Sequence, residues 1–178
     1  MSGCREEDSR VAAKPLQPTS AAELASLVGK ELGPTGWKVI TQRKIDAFAE
    51  ATEDEGWIHV DRSLAAAGPF GSTIAHGLLT LGLGPVFTAE LVSYDGFAHV
   101  LNYGYERVRF PAPLPVESRV RMRLGVDSAE EVDGGAQVSM TQVYERDGLE
   151  RPVCVARWMA RFVERQTRVG SRADAPST

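Results

Sequence analysis

The chain has little of what marks several broad protein classes. Two cysteines in 178 residues, Cys4 and Cys154, are too few for a disulfide framework and fit a reducing compartment. No block of Lys or Arg occurs, and acidic side chains outnumber basic ones 24 to 20, for a formal charge of -4. That balance argues against a general binder of nucleic acid or anionic membrane. The longest apolar run, Gly77 to Ala89, is too short to span a bilayer and is interrupted by glycines and Pro85. The opening MSGCREEDSR has no apolar signal core. Metal-site spacings of Cys or paired His are missing, and Gly68, Gly71 and Gly77 lack the Gly-Lys-Ser/Thr of a phosphate loop. These absences predict a soluble cytoplasmic protein without metal.

What is present begins after a polar tail expected over residues 1–18, with a matching tail over 166–178 and one domain over 19–165. Ser20-Ala-Ala-Glu23 reads as a capping box for a helix carrying Leu24, Leu27 and Val28 and ending at Gly33-Pro34. A short strand over Trp37 to Ile40 follows. Thr41 is placed to cap a second helix whose Ile45, Phe48, Ala49 and Thr52 share a face. That pattern stops at Gly56, leaving an acidic turn from Glu53 to His59 that Trp57 and Ile58 are expected to anchor to the core. Asp61 can cap a short helix through Ala67, and Gly68-Pro69-Phe70-Gly71 then forces a loop.

From Ala75 to Val92 the apolar residues leave no polar stripe, which predicts one helix buried all round. Four strand-like runs follow. Val100 to Phe110 carries Gly104, which is expected to mark a bulge. In the other three, one face alternates with a wet one: Val120, Met122, Leu124 and Val126 against Arg119, Arg121 and Arg123; Ala136, Val138 and Met140; Cys154, Ala156, Trp158, Ala160 and Phe162. Asp133-Gly134-Gly135 and Asp147-Gly148 are hairpin turns between them. An antiparallel sheet curling round one helix, an α+β architecture, buries both apolar surfaces at once.

Asp54 and His59 stand five residues apart just ahead of Ile-Ala-His-Gly. Adding water to an activated double bond needs one group to take a proton and one to give it, and an Asp with a neutral His can share those tasks. The accompanying need is a donor for the enolate-like oxygen, and the amide of Gly77, opening the apolar helix, is the candidate. Arg107 and Arg109 more often line a solvated face than contact a ligand, and Cys154 is a small buried residue before it is a nucleophile.

The segment IAHGLLTL, the Asp54, His59, Asp61 spacing and the later YERVRFPAPLPVESRV together resemble the MaoC-like dehydratases, in particular the nodulation-protein-N-like and (R)-specific type 2 enoyl-CoA hydratase branch. The resemblance covers about Ser20 to Arg165. It implies a hot-dog fold, a homodimer with sheets joined edge to edge, and a substrate carried as a CoA or acyl-carrier-protein thioester, with no further cofactor. It assigns catalysis to Asp54, His59 and the Gly77 amide, and we place substrate contacts at Gly56, Trp57, Phe70, His76 and Arg109. The chain departs from the family pattern at Gly56, where relatives usually carry Asn or Gln, and at Gly82. A hot-dog thioesterase and a non-catalytic acyl-thioester or partner-binding protein are the alternatives.

Overall fold

A computed structural model describes residues 14–165. Four strands dominate it: β3 (His99–Arg109), β4 (Arg119–Val132), β5 (Gly135–Arg146) and β6 (Cys154–Val163). With two-residue strands β1 (Glu31–Leu32) and β2 (Lys38–Val39) they form one six-stranded sheet in the order β1-β4-β5-β6-β3, with β2 also on β4. The pairings of the long strands are antiparallel, and β4 with β5 meets at Asp133-Gly134, as the turn signals require. The expected bulge is present: the β3–β6 register shifts between Asn102 and Gly104, where Gly104 has φ 158°.

Alternation decides which face is covered. Val120, Met122, Leu124, Val126, Val138, Met140, Tyr144, Cys154, Ala156, Trp158, Ala160 and Phe162 are all buried. The opposite face carries charge in cross-strand order. Arg121 stands directly opposite Glu145, which also binds Arg123.

The helices are α1 (Ala21–Ala25), α2 (Gln42–Thr52), α3 (Trp57–Val60), α4 (Arg62–Ala67), α5 (Gly77–Gly82) and α6 (Gly84–Leu91). Ser20 caps α1 by accepting from the Glu23 N–H, but Glu23 bonds back to Thr19 rather than completing a capping box on Ser20. The helix is short, and Val28 is exposed while Leu24 and Leu27 are buried. Thr41 occupies the N-cap of α2 without a capping hydrogen bond, its hydroxyl being buried and unpaired, and Thr52 is exposed. Within the stretch expected to be a tail, Leu16 is bridged in parallel to Val92, with hydrogen bonds to Leu91 and from Ser93. Residues 1–13 and 166–178 lie outside the described part.

The largest correction concerns the expected single buried helix. It is two helices meeting at Leu83, and it is not buried all round: Phe87 and Thr88 face the sheet while Leu78 is 63% and Val86 47% exposed. Pro85, having no N–H, cannot donate to the carbonyl of Leu81 four residues earlier. Tyr144 on β5 supplies the missing donor, its hydroxyl lying 3.2 Å from Leu81 O and 3.1 Å from Gln142 Oε1. Gly84 is required by this packing, since a β-carbon there would meet the Tyr144 hydroxyl at 2.8 Å. Sheet and helix pair thus form the hot-dog arrangement. Among the described residues no helix is long and apolar enough to cross a membrane.

Candidate active site

The acidic turn is shaped by its backbone. α2 ends on Glu53, which takes the left-handed conformation (φ 59°, ψ 21°) more often given to Gly or Asn. The chain therefore turns three residues before Gly56. Asp54 follows with its side chain 61% exposed. Gly56 then starts the single turn of α3, where the N–H of His59 bonds Gly56 O at 2.8 Å. The carboxylate of Asp61 accepts from the N–H groups of Ser63 and Leu64, both at 2.9 Å, so this acid is spent as the N-cap of α4.

His59 is held at several points. Its carbonyl accepts from Gln42 Nε2 at 2.8 Å, and Gln42 is buried and held in turn by Thr73 and Asp46. Its Nδ1 lies 2.7 Å from Ile74 O. A carbonyl only accepts, so Nδ1 carries the proton and the neutral ring keeps a lone pair on Nε2. His76, 3% exposed, stacks on this ring with centroids 3.7 Å apart and planes at 22°. By the same reasoning its Nε2–H donates to the Asp54 carbonyl at 2.9 Å.

One ligand-type atom from each of Asp54, His59 and His76 lies within 4.8 Å of the others. One water molecule can bridge such a span with hydrogen bonds of about 2.8 Å. By residue type the trio is also a metal set, but its geometry does not suit one. Stacked imidazoles keep their nitrogen lone pairs in two separate, nearly parallel planes, so one ion cannot lie in both at the roughly 2.0–2.1 Å that coordination needs.

Gly77, the first residue of α5, leaves its N–H outside the helix's own bonding. The Phe110 ring closes over it. Two cavities meet here, and His59 and Gly77 line both. One, about 330 Å³, is walled by Phe70, Ile74, Thr80, Phe110, Leu114 and Val153. The other, about 300 Å³, holds Asp54 and His76 beside Phe48, Thr52 and Leu78.

The expected site residues thus fall into groups. Asp54, His59, His76 and Gly77 converge, Phe70 lines the first cavity, and Gly56 flanks the pair: a β-carbon there would sit 3.5 Å from both Asp54 Oδ1 and His59 Cδ2. Trp57 does not anchor the turn to the core; it is 46% exposed, packs over Gly68 and lines neither cavity. Arg109 lies in a separate groove of about 570 Å³ with Arg107 and Arg157, which shares only the Pro111 wall with the first cavity. Gly82 is exposed, with nothing within 4 Å of its β-position, so its departure from the family pattern falls outside both cavities. Sequence reasoning missed Thr80, Phe110 and Gln42. Of these only Thr80, one turn after His76, had a positional signal.

The sequence profile of the MaoC like domain matches residues 23–147. The chain is 43% identical over 145 residues to 3-hydroxyacyl-thioester dehydratase Z of Mycobacterium tuberculosis, covering 81% of this chain and 96% of that protein. It is 37% identical over 148 residues to Nodulation protein N of Rhizobium leguminosarum bv. viciae, covering 79% and 89%. Among solved structures, R-hydratase PhaJ1 of Pseudomonas aeruginosa superposes with a TM-score of 0.66 over 83% of this chain and 87% of that one at 22% identity, a likeness of fold.

Proposed function

This chain belongs to the MaoC-like dehydratase family and is a hydro-lyase, and from that premise we propose that it interconverts trans-2-enoyl and (R)-3-hydroxyacyl thioesters. The observation that carries the reading is the Asp54 carboxylate and a His59 nitrogen within 4.8 Å, beside the Gly77 amide where an apolar cavity opens. In the hydration direction, water held by Asp54 and His59 adds through its oxygen to the β-carbon. Its proton passes to that pair, and the pair delivers a proton to the α-carbon, so that H and OH are added across the double bond. Charge accumulates meanwhile on the thioester oxygen, where the Gly77 N–H donates; one such donor is commonly worth about 3 kcal/mol in the transition state. Dehydration retraces these steps.

The acyl chain would occupy the cavity walled by Phe70, Ile74 and Val153. The groove of Arg107, Arg109 and Arg157, reached past Pro111 and also lined by Glu106 and Asp127, which pair with Arg157, would take the phosphate of a phosphopantetheine carrier, either CoA or an acyl carrier protein. No cofactor beyond that carrier enters these steps. A homodimer in the cytoplasm completes the reading. Supporting it, the eleven-residue strand β3 is an edge of the sheet with Leu101 and Tyr103 about half exposed, and an edge strand offers unpaired backbone groups to a second strand.

The test follows loss of enoyl absorbance with crotonyl-CoA and longer enoyl-CoAs, with chiral analysis of product and a parallel assay of free thiol. Hydration to the (R) product without thiol release is expected, with Asp54→Asn and His59→Ala each at least about 100-fold slower. No hydration at any chain length sinks the reading, and thiol release in its place makes the protein a thioesterase.

A further inference from the structure

We propose that His76 is the positioning residue of this site, the buried joint that holds Asp54, His59 and the Gly77 amide in mutual register. The inference rests on the hydro-lyase reading above. Two contacts of its side chain reach Asp54 and His59, and its backbone leads directly into Gly77. Through Nε2–H it fixes the Asp54 carbonyl at 2.9 Å. Through its ring face it holds the His59 imidazole, stacked at 3.7 Å. Through its own peptide it continues into Gly77, while its carbonyl accepts from both the N–H and the hydroxyl of Thr80, at 3.2 and 3.3 Å. The Phe48 ring closes its remaining side, 4.9 Å away at 48°.

What distinguishes positioning from packing is an atom that packing would not choose. His76 Nδ1 is buried and has no hydrogen-bond partner among the described residues. A buried unpaired polar atom destabilises a fold, and a phenyl ring would fill the same space without one. A ring kept for bulk alone would better be Phe. The imidazole is explained by the single hydrogen bond it makes at the turn that carries Asp54. The carboxylate itself lies 4.0 Å from Nε2, beyond hydrogen-bond length, so His76 acts on Asp54 through the backbone.

His76→Phe keeps a ring and loses the donor; His76→Gln keeps a donor and loses the ring. With His76 as the joint, His76→Phe melts no lower than the parent protein yet loses roughly 10-fold to 100-fold in kcat, the loss expected when reacting groups shift by about an ångström. KM stays within about threefold, because binding of substrate in the ground state is not what has changed. His76→Gln loses kcat similarly. A KM rise with kcat preserved would make His76 a substrate contact and overturn the proposal; so would full kcat in both variants. In the unsubstituted protein, proton NMR of the three histidines should show a direct His59–His76 ring contact that His99 lacks, and His76→Gln should move the His59 ring signals. An enzyme without hydratase activity would refute the reaction, whereas separated His59 and His76 rings would refute the joint. The NMR arm decides the latter even if neither variant folds.

Discussion

The ring of Phe110 covers Gly77 so closely that a β-carbon on that glycine would meet three ring carbons at 3.0 Å. The glycine is thus demanded by an aromatic neighbour 33 positions later, at the one amide the proposed chemistry needs. Gly77→Ala must displace either Phe110, which is 43% exposed and able to move, or the start of α5. We expect at least about a tenfold loss of kcat, as when an oxyanion donor is misplaced. The double variant with Phe110→Ala should recover part of it, measured as hydration kinetics on both proteins.

The Tyr144 hydroxyl donates to the Leu81 carbonyl, where Pro85 has no N–H to offer. Removing that hydroxyl takes one donor from the Leu81 carbonyl, which also has the Leu83 N–H, and takes a partner from the buried Gln142 Oε1, at the junction of α5 and α6. Tyr144→Phe should therefore cost about 1–3 kcal/mol of stability. Denaturant unfolding at neutral pH measures it; an unchanged midpoint would mean that the carbonyl is served from elsewhere.

Asp61 belongs to the sequence motif but works as a helix cap. Asp61→Ala should lower stability by about 1 kcal/mol while leaving hydration within a few-fold of the parent. A loss of activity as deep as that of Asp54→Asn would place Asp61 in the chemistry instead.

Gly56 has φ -52° and ψ 131°, open to any side chain, and ordinary contact distances for a β-carbon. Gly56→Ala should raise stability by about 0.4–1 kcal/mol through the unfolded chain. Gly56→Asn adds a polar group between Asp54 and His59, and is expected to raise kcat rather than KM.

Stability should fall on both sides of neutrality, for separate reasons. At Glu145 burial raises the carboxyl pKa, but the hydrogen bonds from Arg121 and Arg123 outweigh it and hold the group below the usual carboxylate range. The unfolded chain therefore takes up this proton first, so the contribution is full above the ordinary carboxylate range and is lost as pH falls through the lowered folded value. At Cys154 burial pushes the thiol from 9.0 to about 12. Here the unfolded chain loses its proton first, so stability is full below pH 9.0 and is lost as pH rises through about 12. Urea midpoints across pH test both, with Cys154→Ala flattening the alkaline limb and Glu145→Gln the acid one.

The strands and the acid-histidine pair were legible because their signals are local. Alternation along Val120 to Val126 and Cys154 to Phe162 marks a half-covered strand wherever its partners lie. Asp61 was legible as a cap for the same reason: its hydrogen bonds reach only two and three residues ahead. The break at Leu83 was obscured because Pro85 also fits the first turn of a helix, and the donor that stabilises the break arrives from β5. Trp57 misled because size and apolarity promise burial on average, while Gly68 offers it only a partial seat at the surface.

By itself the sequence determined which residues could do chemistry and which faces of the strands would be covered, since residue type and period are properties of the chain alone. Only the tertiary structure decided that the ring of His76 lies on that of His59, that Phe110 roofs Gly77, and that Arg109 stands in a groove apart. Those relations join residues 17 to 33 positions apart or more, and they depend on how helix and sheet close on each other. No local pattern carries that closure, because it minimises the free energy of the whole core at once.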